Sequence, residues 1–435
     1  MDKLRILLLK KAILKEKRGL FYLNFQGFPL IKINNFKFFK QDKILKLISE
    51  EKVFEYWVSE DLLIPPWETH WFQLNESMLL KLKSNLLKDL LQKALLNSNN
   101  LFQLTKRLGF SAPTFYNFLN KKQNIKMISI KKLKSLLSYL KIPYSFINNK
   151  VDFTKKGKKR SIYKPHFPIN LRNKEGAKIL GHIVSDGSIY IDKKSRNTIR
   201  TKFTSNDSQS LLEFKNTLNK IYGKVHINKE NVRNAITLRI GSSIIGISLL
   251  KVGAILGNKC KQNKSMPWLI KNSNLDIQTS YLRAVFDDEG SLYFHPKGSY
   301  IILTRYKWLS NLSKIQKEEL RSLEPIMKFR IFPTKHINKI ITIKRALSFI
   351  QNQKLVRLIQ QPSRLLYGES LILKKRGINY RICNTLLSKN HSGSYSVSHS
   401  LFINKKDSIK KFNKLIGFSL KRKQDKLTKI IGGYS

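Results

Sequence analysis

The chain has 435 residues, of which 83 are Lys or Arg and 28 are Asp or Glu, so its formal net charge is +55. Apolar residues make up 41% of the sequence, enough to build cores for roughly two to three domains, which excludes a wholly disordered chain. The 20 Gly and 12 Pro have no period, so collagen-like and low-complexity structures are excluded as well. Because the positive charge is spread along the whole chain, nucleic acid is favoured as partner over an anionic membrane.

Several other classes of protein lack the required residues. The sequence contains no run of about 18 apolar residues, so we expect neither a membrane span nor a membrane partner. Cys260 and Cys383 are too few for a disulfide framework, which fits a cytoplasmic or organellar-matrix protein rather than a secreted one. The histidines show no HxxxH or HExxH spacing, and no GxxxxGKS/T or GxGxxG loop is present, which disfavours zinc hydrolases and nucleotide-driven motors.

The first third of the chain contains one recognisable nucleic-acid-binding pattern. Residues 1–75 show no identifiable chemistry, and we interpret them as a small accessory α/β or helical module. From Asn75, leucines recur every three and four residues and predict an amphipathic helix. The segment 101–120 follows, with Gly109 at a turn, Ser111 in N-cap position and Pro113 in the next first turn, which is typical of a helix-turn-helix.

A helix over 128–140 would complete an all-α helix-turn-helix domain at residues 76–149. Its second helix would present five side chains to the major groove. These are Ser111, Thr114, Asn117, Lys121 and Lys122. A plain helical bundle without DNA contact remains the alternative. Residues 150–173, rich in Lys and Pro, are interpreted as a basic linker, either lying along phosphates or simply solvated.

An internal repeat carries the chemistry. Residues 178–189 read KILGHIVSDGSI, and residues 281–292 read YLRAVFDDEGSL, so that Gly187 and Gly290 correspond at an offset of 103 positions. Small or short side chains recur at intervals of four in both copies, which predicts two helices with bare faces that pack closely against each other. The proposed interface residues are Ala177, Gly181, Ser185, Gly187, Ser280, Ala284, Asp288 and Gly290.

Each predicted helix ends in an acid followed by Gly. The glycine is expected to adopt the left-handed C-cap conformation. Asp186 and Glu289 would then lie close together at the negative ends of two helix dipoles, an unfavourable position that asks for a compensating cation. Carboxylate oxygens suit Mg²⁺, with Mn²⁺ as a substitute, so we predict that both acids are metal ligands and catalytic.

With these two motifs, the sequence resembles the LAGLIDADG homing endonucleases of the single-chain, two-repeat kind. The resemblance covers about 168–427 and includes Ser265-Met266-Pro267-Trp268 before the second motif. His182 departs from the usual aliphatic residue, and Arg283 is an unusual charge within the second motif. The resemblance implies an α+β fold in which two pseudo-symmetric αββαββα repeats form a DNA-binding saddle, here preceded by the helix-turn-helix domain.

The expected domain boundaries follow from this fold. The first repeat would occupy 174–276, the second would occupy 277–427 with an insertion near 325–370, and 428–435 would form a tail. Alternating basic and apolar residues predict strands with a basic face. The resemblance implies that these strands read the major groove of double-stranded DNA over a long asymmetric site. The candidate contacts are Arg196, Arg200, Lys202, Arg233, Arg239, Arg305, Lys307 and Arg381.

The resulting hypothesis is metal-dependent hydrolysis of phosphodiester bonds by an intron-encoded, monomeric nuclease, with one acid serving each strand. Lys307 or Arg305 is considered as the basic residue that the resemblance implies near the reacting group. The alternative is a catalytically inactive relative that acts as a transcriptional regulator on DNA or as an intron maturase on RNA. Retention of both acids argues against that alternative, because a pure binding protein gains nothing from two repelling carboxylates.

Overall fold

The computed structural model describes residues 64–433 apart from 99, 121–126, 156–160, 194–197, 295–297, 332–336 and 391–392, together with the backbones of seven strands between residues 14 and 64. The chain divides into two compact units. The first comprises Met1–Gly176, Tyr190–Asn206 and Leu211–Val252, and the second comprises Ala177–Ile189, Asp207–Ser210 and Gly253–Ser435. The fold is mixed α and β with antiparallel sheets. Within the described residues, no helix combines the length and apolar character needed to cross a membrane.

The N-terminal strands form a three-stranded sheet, β1-β2-β3, and a four-stranded sheet, β4-β5-β6-β7, both antiparallel. Their bounds are β1 Leu14–Lys17, β2 Leu20–Leu23, β3 Ile31–Ile33, β4 Asn35–Phe39, β5 Ile44–Ile48, β6 Val53–Ser59 and β7 Leu62–Ile64.

A helical module with short strands follows. Its elements are β8 Glu68–Thr69, the 3₁₀ turn Trp71–Gln73, β9 Leu79–Leu82, α1 Leu86–Leu96, α2 Leu101–Leu108, α3 Ala112–Asn120, β10 Ile128–Ser129, α4 Ile130–Tyr139 and the 3₁₀ turn Tyr144–Lys150. The Asn100 side chain caps α2 by accepting from the Gln103 amide at 3.1 Å. Gly109 ends the helix in the left-handed conformation, with φ of 72°.

Two expectations for this region are wrong. The helix predicted from Asn75 begins only at Leu86, because Leu79–Leu82 pairs as a strand with both β10 and β11, so the domain is not all-α. The predicted linker contains β11 Val151–Lys155, β12 Ser161–Tyr163 and β13 Ile169–Asn170. These strands find partners far along the chain, which local composition cannot indicate. The basic cluster between β11 and β12 lies outside the described residues.

The first repeat has the order αββαβββα, one strand more than the αββαββα order that the resemblance implies, because Lys224–Val225 forms a separate short strand that pairs with Ser161–Tyr163. Its elements are α5 Lys174–Val184, β14 Gly187–Asp192, β15 Thr198–Ser205, α6 Ser208–Tyr222, β16 Lys224–Val225, β17 Ile227–Val232, β18 Ala235–Ile240 and α7 Ser243–Lys251. The strand order in its four-stranded sheet is β14-β15-β18-β17. Phe203 of β15 stacks on Phe214 of α6, with ring centroids 4.4 Å apart, so this helix covers the apolar side of the sheet.

The second repeat uses the same strand order and adds two strands. Its elements are α8 Lys259–Gln262, α9 Trp268–Lys271, α10 Leu275–Glu289, β19 Gly290–Tyr293, β20 Tyr300–Trp308, α11 Lys314–Ser322, the 3₁₀ turn Glu324–Ile326, β21 Lys328–Ile331, β22 Ile337–Thr342, α12 Ile343–Leu347, α13 Gln353–Gln360, α14 Arg364–Lys375, β23 Arg381–Lys389, β24 Tyr395–Ile403, α15 Lys406–Leu415 and α16 Lys421–Gly432. The sheet order is β19-β20-β24-β23-β22-β21.

The two added strands lie within residues 325–370, where the sequence predicts an insertion. A cluster of buried apolar residues that includes Leu320, Met327, Ile341 and Leu355 packs the inserted helices and strands together. The insertion therefore carries its own small core at the far edge of the sheet. It begins earlier than predicted, at the helix Lys314–Ser322.

Candidate active site

The two motif helices touch through a residue without a side chain. A Cβ built on Gly181 would lie 2.7 Å from the Tyr281 carbonyl oxygen and 2.8 Å from the Ala284 Cβ. Ala177, Ser185 and Ala284 are buried in the same region. Since real Cβ atoms essentially never lie closer than 3.0 Å to such neighbours, the close approach of the helices requires glycine at position 181.

Both motif helices pass directly into strands, and the glycines there do not have the expected left-handed conformation. Gly290 has φ of −68° and ψ of 138°, which is extended backbone, and Gly187 is not among the positive-φ residues. The reason for glycine is steric instead. A Cβ on Gly187 would lie 2.6 Å from Ile183 Cα, and one on Gly290 would lie 2.5 Å from the Phe286 carbonyl oxygen. The chain therefore folds back tightly over the last turn of each helix.

These helix ends hold the two predicted acids within electrostatic range of each other. Asp186 keeps contact with solvent, yet the surrounding protein raises the pKa of its carboxyl to about 7, first by desolvation and then through the charges of Asp288 and Glu289. Lys259 and Arg305 act in the opposite direction. A carboxyl whose pKa is raised in this way holds a proton near neutral pH unless a cation joins the cluster.

Glu289 is held by a buried arginine. The Arg305 guanidinium donates to Glu289 Oε1 at 2.5 Å and to Glu369 at 2.6 and 3.1 Å. Tyr281 also donates to Glu369, at 3.2 Å. Burial raises the pKa of the Glu369 carboxyl, and the charge and hydrogen bonds of Arg305 oppose that rise. Glu289 is thus fixed through Arg305 to a residue on the neighbouring helix Arg364–Lys375.

His182 of the first motif contacts an acid of the second motif. Its Nδ1 lies 2.9 and 3.1 Å from the two carboxylate oxygens of Asp288, and both side chains are buried. Ser210 Oγ donates to Asp288 at 3.3 Å. Asp288 is therefore hydrogen-bonded by His182 and Ser210, whereas Glu289 is held by Arg305.

Two lysines that the sequence reasoning did not identify cap the motif helices. Lys259 Nζ donates to the carbonyl oxygens of Ile183, Ser185 and Gly187, at 3.2 Å for the first and 2.8 Å for the last. Lys423 Nζ donates to the carbonyl oxygens of Phe286, Asp287 and Gly290, at 3.0, 2.5 and 2.6 Å.

The two lysines occupy matching places in the repeat, and their charges offset the negative ends of the helix dipoles. Lys259 also adjoins both acids, since Glu289 and Asp186 act on its pKa, which burial lowers to about 8. The available sequence signal was only that Lys259 follows a capping Asn, because the partners are backbone atoms more than 70 residues away.

The donor set suits a hard divalent cation. No group of three His, Cys, Asp or Glu side chains within the described part of the chain is arranged to hold a metal. Mg²⁺ commonly takes only one or two carboxylates together with water and phosphate oxygens. Asp186, whose pKa is raised by desolvation and by neighbouring acids, and Glu289 provide two such carboxylates. The residues therefore fit a magnesium ion shared with a phosphate.

The first repeat carries basic side chains on the sheet face opposite its core. Lys202 and Arg239 are paired across β15 and β18. Lys202 lies 5.8 Å from the centre of the Tyr190 ring. Arg239 forms an ion pair with Glu230, and Arg200 lies 3.4 Å from Asp192 and donates to the Gly241 carbonyl at 2.9 Å.

Other candidates are placed differently. Arg233 is exposed with φ of 57°, and Arg196 lies outside the described residues. Arg305 and Lys307 are only 5% and 2% exposed, so they do not belong to an exposed basic face. They lie on the same side of β20 as Ile301 and Leu303, the side that faces the core.

The remaining candidates are Lys307, Arg381 at the start of β23, and the side chains around α3. Lys307 Nζ donates to the carbonyls of Leu358 and Gln361 at 2.6 and 2.5 Å, which ends helix α13. Arg381 is exposed and lies 5.3 Å from the Phe402 ring. Asn117 of α3 and Ser111, the residue before the helix, are exposed, and Thr114 Oγ1 lies 2.7 Å from Ser111 Oγ. Lys121 and Lys122 lie outside the described residues.

Comparison with known proteins gives distant structural likeness only. No family model and no curated protein matches the sequence. I-DmoI in complex with DNA and Ca has a TM-score of 0.32 and 14% identity, over 60% of this chain and 98% of that chain. The I-LtrWI LAGLIDADG homing endonuclease bound to target DNA has a TM-score of 0.28 and 10% identity, over 61% and 91%.

Full-length DUF199/WhiA from Thermatoga maritima has a TM-score of 0.27 and 14% identity, over 61% of each chain. At TM-scores this low we infer neither fold nor function from the likeness.

Proposed function

We propose that the chain is a site-specific, double-stranded DNA endonuclease of LAGLIDADG type that hydrolyses phosphodiester bonds with a divalent metal ion at a long asymmetric target. The observation that carries the proposal is the contact of the two motif helices at Gly181 and Ala284, which brings two acid-ending helix termini into one charge cluster. Two like-charged carboxylates held in one cluster repel each other and destabilise a protein that has no use for them.

Asp186 and Glu289 would hold Mg²⁺ or Mn²⁺ in this proposal. When bound, such an ion polarises a phosphate, lowers the pKa of a coordinated water and stabilises the leaving oxygen. Arg305 keeps Glu289 in place through Glu369. Lys259 and Lys423 place positive charge at the helix ends, within electrostatic range of Asp186.

DNA recognition would use the basic face of the first repeat, exposed groups such as Arg381 in the second, and the module around α3. Because both acids belong to one chain, the active species is expected to be a monomer. The net charge of +55 would be neutralised by the phosphates of the duplex.

The test is cleavage of a plasmid that carries the uninterrupted insertion site of the gene encoding this protein. With Mg²⁺, the protein should convert the plasmid to linear DNA at one position, and Asp186→Asn should abolish that product. Full linearisation by Asp186→Asn would overturn the proposal. Salt-sensitive binding without any cut under Mg²⁺ or Mn²⁺ would favour the binding-only alternative, a regulator or maturase, which the exposed Ser111 and Asn117 of the helical module support.

A further inference from the structure

A continuous sheet connects the helical module to the first repeat, where the sequence had predicted a linker. Its five strands have the order β10-β9-β11-β12-β16. The first three lie next to the helices in sequence, and the last belongs to the repeat. All five are in the first compact unit.

At the helical end, the sheet is built into the module itself. Strand β10 passes directly into α4, and the Ile130 amide donates to the Met78 carbonyl at 2.9 Å. Leu80, Ile128 and Ile130 are fully buried or nearly so. The Trp71 indole also donates to the Tyr144 carbonyl at 3.0 Å. These contacts join α4 to the strand Leu79–Leu82 through backbone hydrogen bonds and buried side chains.

At the other end, β12 pairs with β16 of the first repeat, with Ile162 opposite Val225. The His226 amide donates to the Ser161 carbonyl at 3.2 Å, and His166 Nδ1 lies 3.0 Å from the Lys220 carbonyl. Gly223 has φ of 88°, and a Cβ there would lie 2.3 Å from the Lys164 carbonyl oxygen. The two chain segments are thus in backbone contact at a position that accepts only glycine.

Strand β16 is itself fixed within the repeat. It follows α6, whose Phe214 stacks on Phe203 of the sheet and whose Tyr222 hydroxyl lies 2.7 Å from Ser248 Oγ of α7. Tyr222 and Ile162 are fully buried. A chain of buried, hydrogen-bonded elements therefore runs from α4 to β15 without an unstructured step in the described residues.

We propose that α3 and the basic face of β15 and β18 form one rigid DNA-reading body, which holds two subsites of the target at a single spacing and a single helical phase. This inference rests on the proposed function, because it requires both surfaces to bind one duplex. The exposed Ser111, which precedes α3, and Asn117 of α3 would read one subsite, and Lys202 and Arg239 would read the other.

Rigid and flexible connections make different predictions for spaced targets. Inserting about 5 bp between the subsites rotates one by half a turn, and about 10 bp restores the phase but moves it by about 34 Å. A flexible linker over residues 150–173 would have an r.m.s. span of about 27 Å and would reach about 80 Å when extended. With such a linker, both surfaces could still bind their subsites on either spaced duplex. A module fixed by the sheet could bind both subsites on neither.

The experiment uses the full chain in EDTA with a duplex of about 60 bp that spans the uninterrupted insertion site of its gene, long enough for several helical turns. Footprinting of the wild-type chain should show two protected stretches. Thr114→Ala/Asn117→Ala should lose one of them and bind about tenfold or more weakly. Gln92→Ala, an exposed amide on α1, should change neither. The distance between the stretches then defines where 5 or 10 bp are inserted.

We expect both spaced duplexes to bind the wild-type chain as weakly as Thr114→Ala/Asn117→Ala binds the unspaced duplex. Affinity within about threefold of the unspaced duplex, with both stretches still protected, would overturn the rigid coupling. A footprint with a single protected stretch of DNA, unchanged in Thr114→Ala/Asn117→Ala, would also overturn the rigid coupling. The proposed nuclease function would stand in that case. Absence of binding to every duplex would overturn both.

Discussion

Replacing Gly181 with Ala tests the packing that brings the two acids together. The added methyl group would lie 2.7 Å from the Tyr281 carbonyl oxygen and 2.8 Å from the Ala284 Cβ, where ordinary contacts begin at 3.4 Å. The two helices must therefore separate locally by about 0.7 Å, the difference between the 3.4 Å and 2.7 Å distances. Overpacking of this kind costs about 1–3 kcal/mol of unfolding free energy.

Thermal unfolding and cleavage together measure the effect of Gly181→Ala. Its Tm should fall by about 2–4 °C per kcal/mol, and its cleavage rate by as much as about 100-fold, since catalytic groups tolerate little displacement. Gly432→Ala provides the matched control, because a Cβ there meets nothing within 4 Å. Gly181→Ala with the Tm and rate of Gly432→Ala would refute the close helix contact as the basis of the site.

Three further predictions concern the charges of the site. Arg305→Met should lower the unfolding free energy by about 3–5 kcal/mol in denaturant titrations, because the buried Glu369 loses its cation. Arg305→Met/Glu369→Gln should recover part of that loss, and an unchanged unfolding free energy in Arg305→Met would contradict the buried pairing. The pKa of Asp186 is raised from 3.8 to about 7 in the folded protein, so without metal its contribution to stability should decline as the pH rises from about 4 to 7. Asp186→Asn should therefore gain in Tm over the wild type across that range, and the Mn²⁺ affinity of the wild type, measured by calorimetry, should rise with pH up to about 7. A Tm difference and an Mn²⁺ affinity that do not change with pH would argue against the acid cluster. Lys259→Met should lower the free energy of unfolding by about 1–3 kcal/mol, measured by thermal unfolding, because three carbonyls lose their donor. Lys261 is exposed, so Lys261→Met should leave that free energy unchanged. Equal effects of the two substitutions would exclude the capping role of Lys259.

Much of the first repeat was predictable from local periodicity. The strand Thr198–Ser205 and the helix Ser208–Tyr222 coincide with segments in which apolar residues alternate or recur every three and four positions. The strand Leu79–Leu82 was not predictable, because its leucines fit a helix equally well and its partners Ile128–Ser129 and Val151–Lys155 lie far away in sequence. Pairing over such distances decides the structure where local preferences are balanced.

In the candidate site, residue types were easier to predict than their surroundings. The two acids and the small-residue faces follow from the repeat, whereas Lys259 and Lys423 act on backbone carbonyls that no sequence pattern identifies. Arg305 could have been placed correctly, because period-two alternation puts it on the same side as Ile301 and Leu303. Its charge suggested DNA contact, but Glu289 and Glu369 supply the partners that allow its burial.

The most direct test of the account separates binding from chemistry with Asp186→Asn/Glu289→Gln. On an end-labelled duplex containing the insertion site, with Mg²⁺, the wild-type chain should cut both strands at fixed positions. The double variant should bind that duplex at least as tightly, because two negative charges near the phosphates are removed, and should cut neither strand. Cleavage of either strand at the wild-type position by the double variant would contradict the assignment of Asp186 and Glu289 as the catalytic acids.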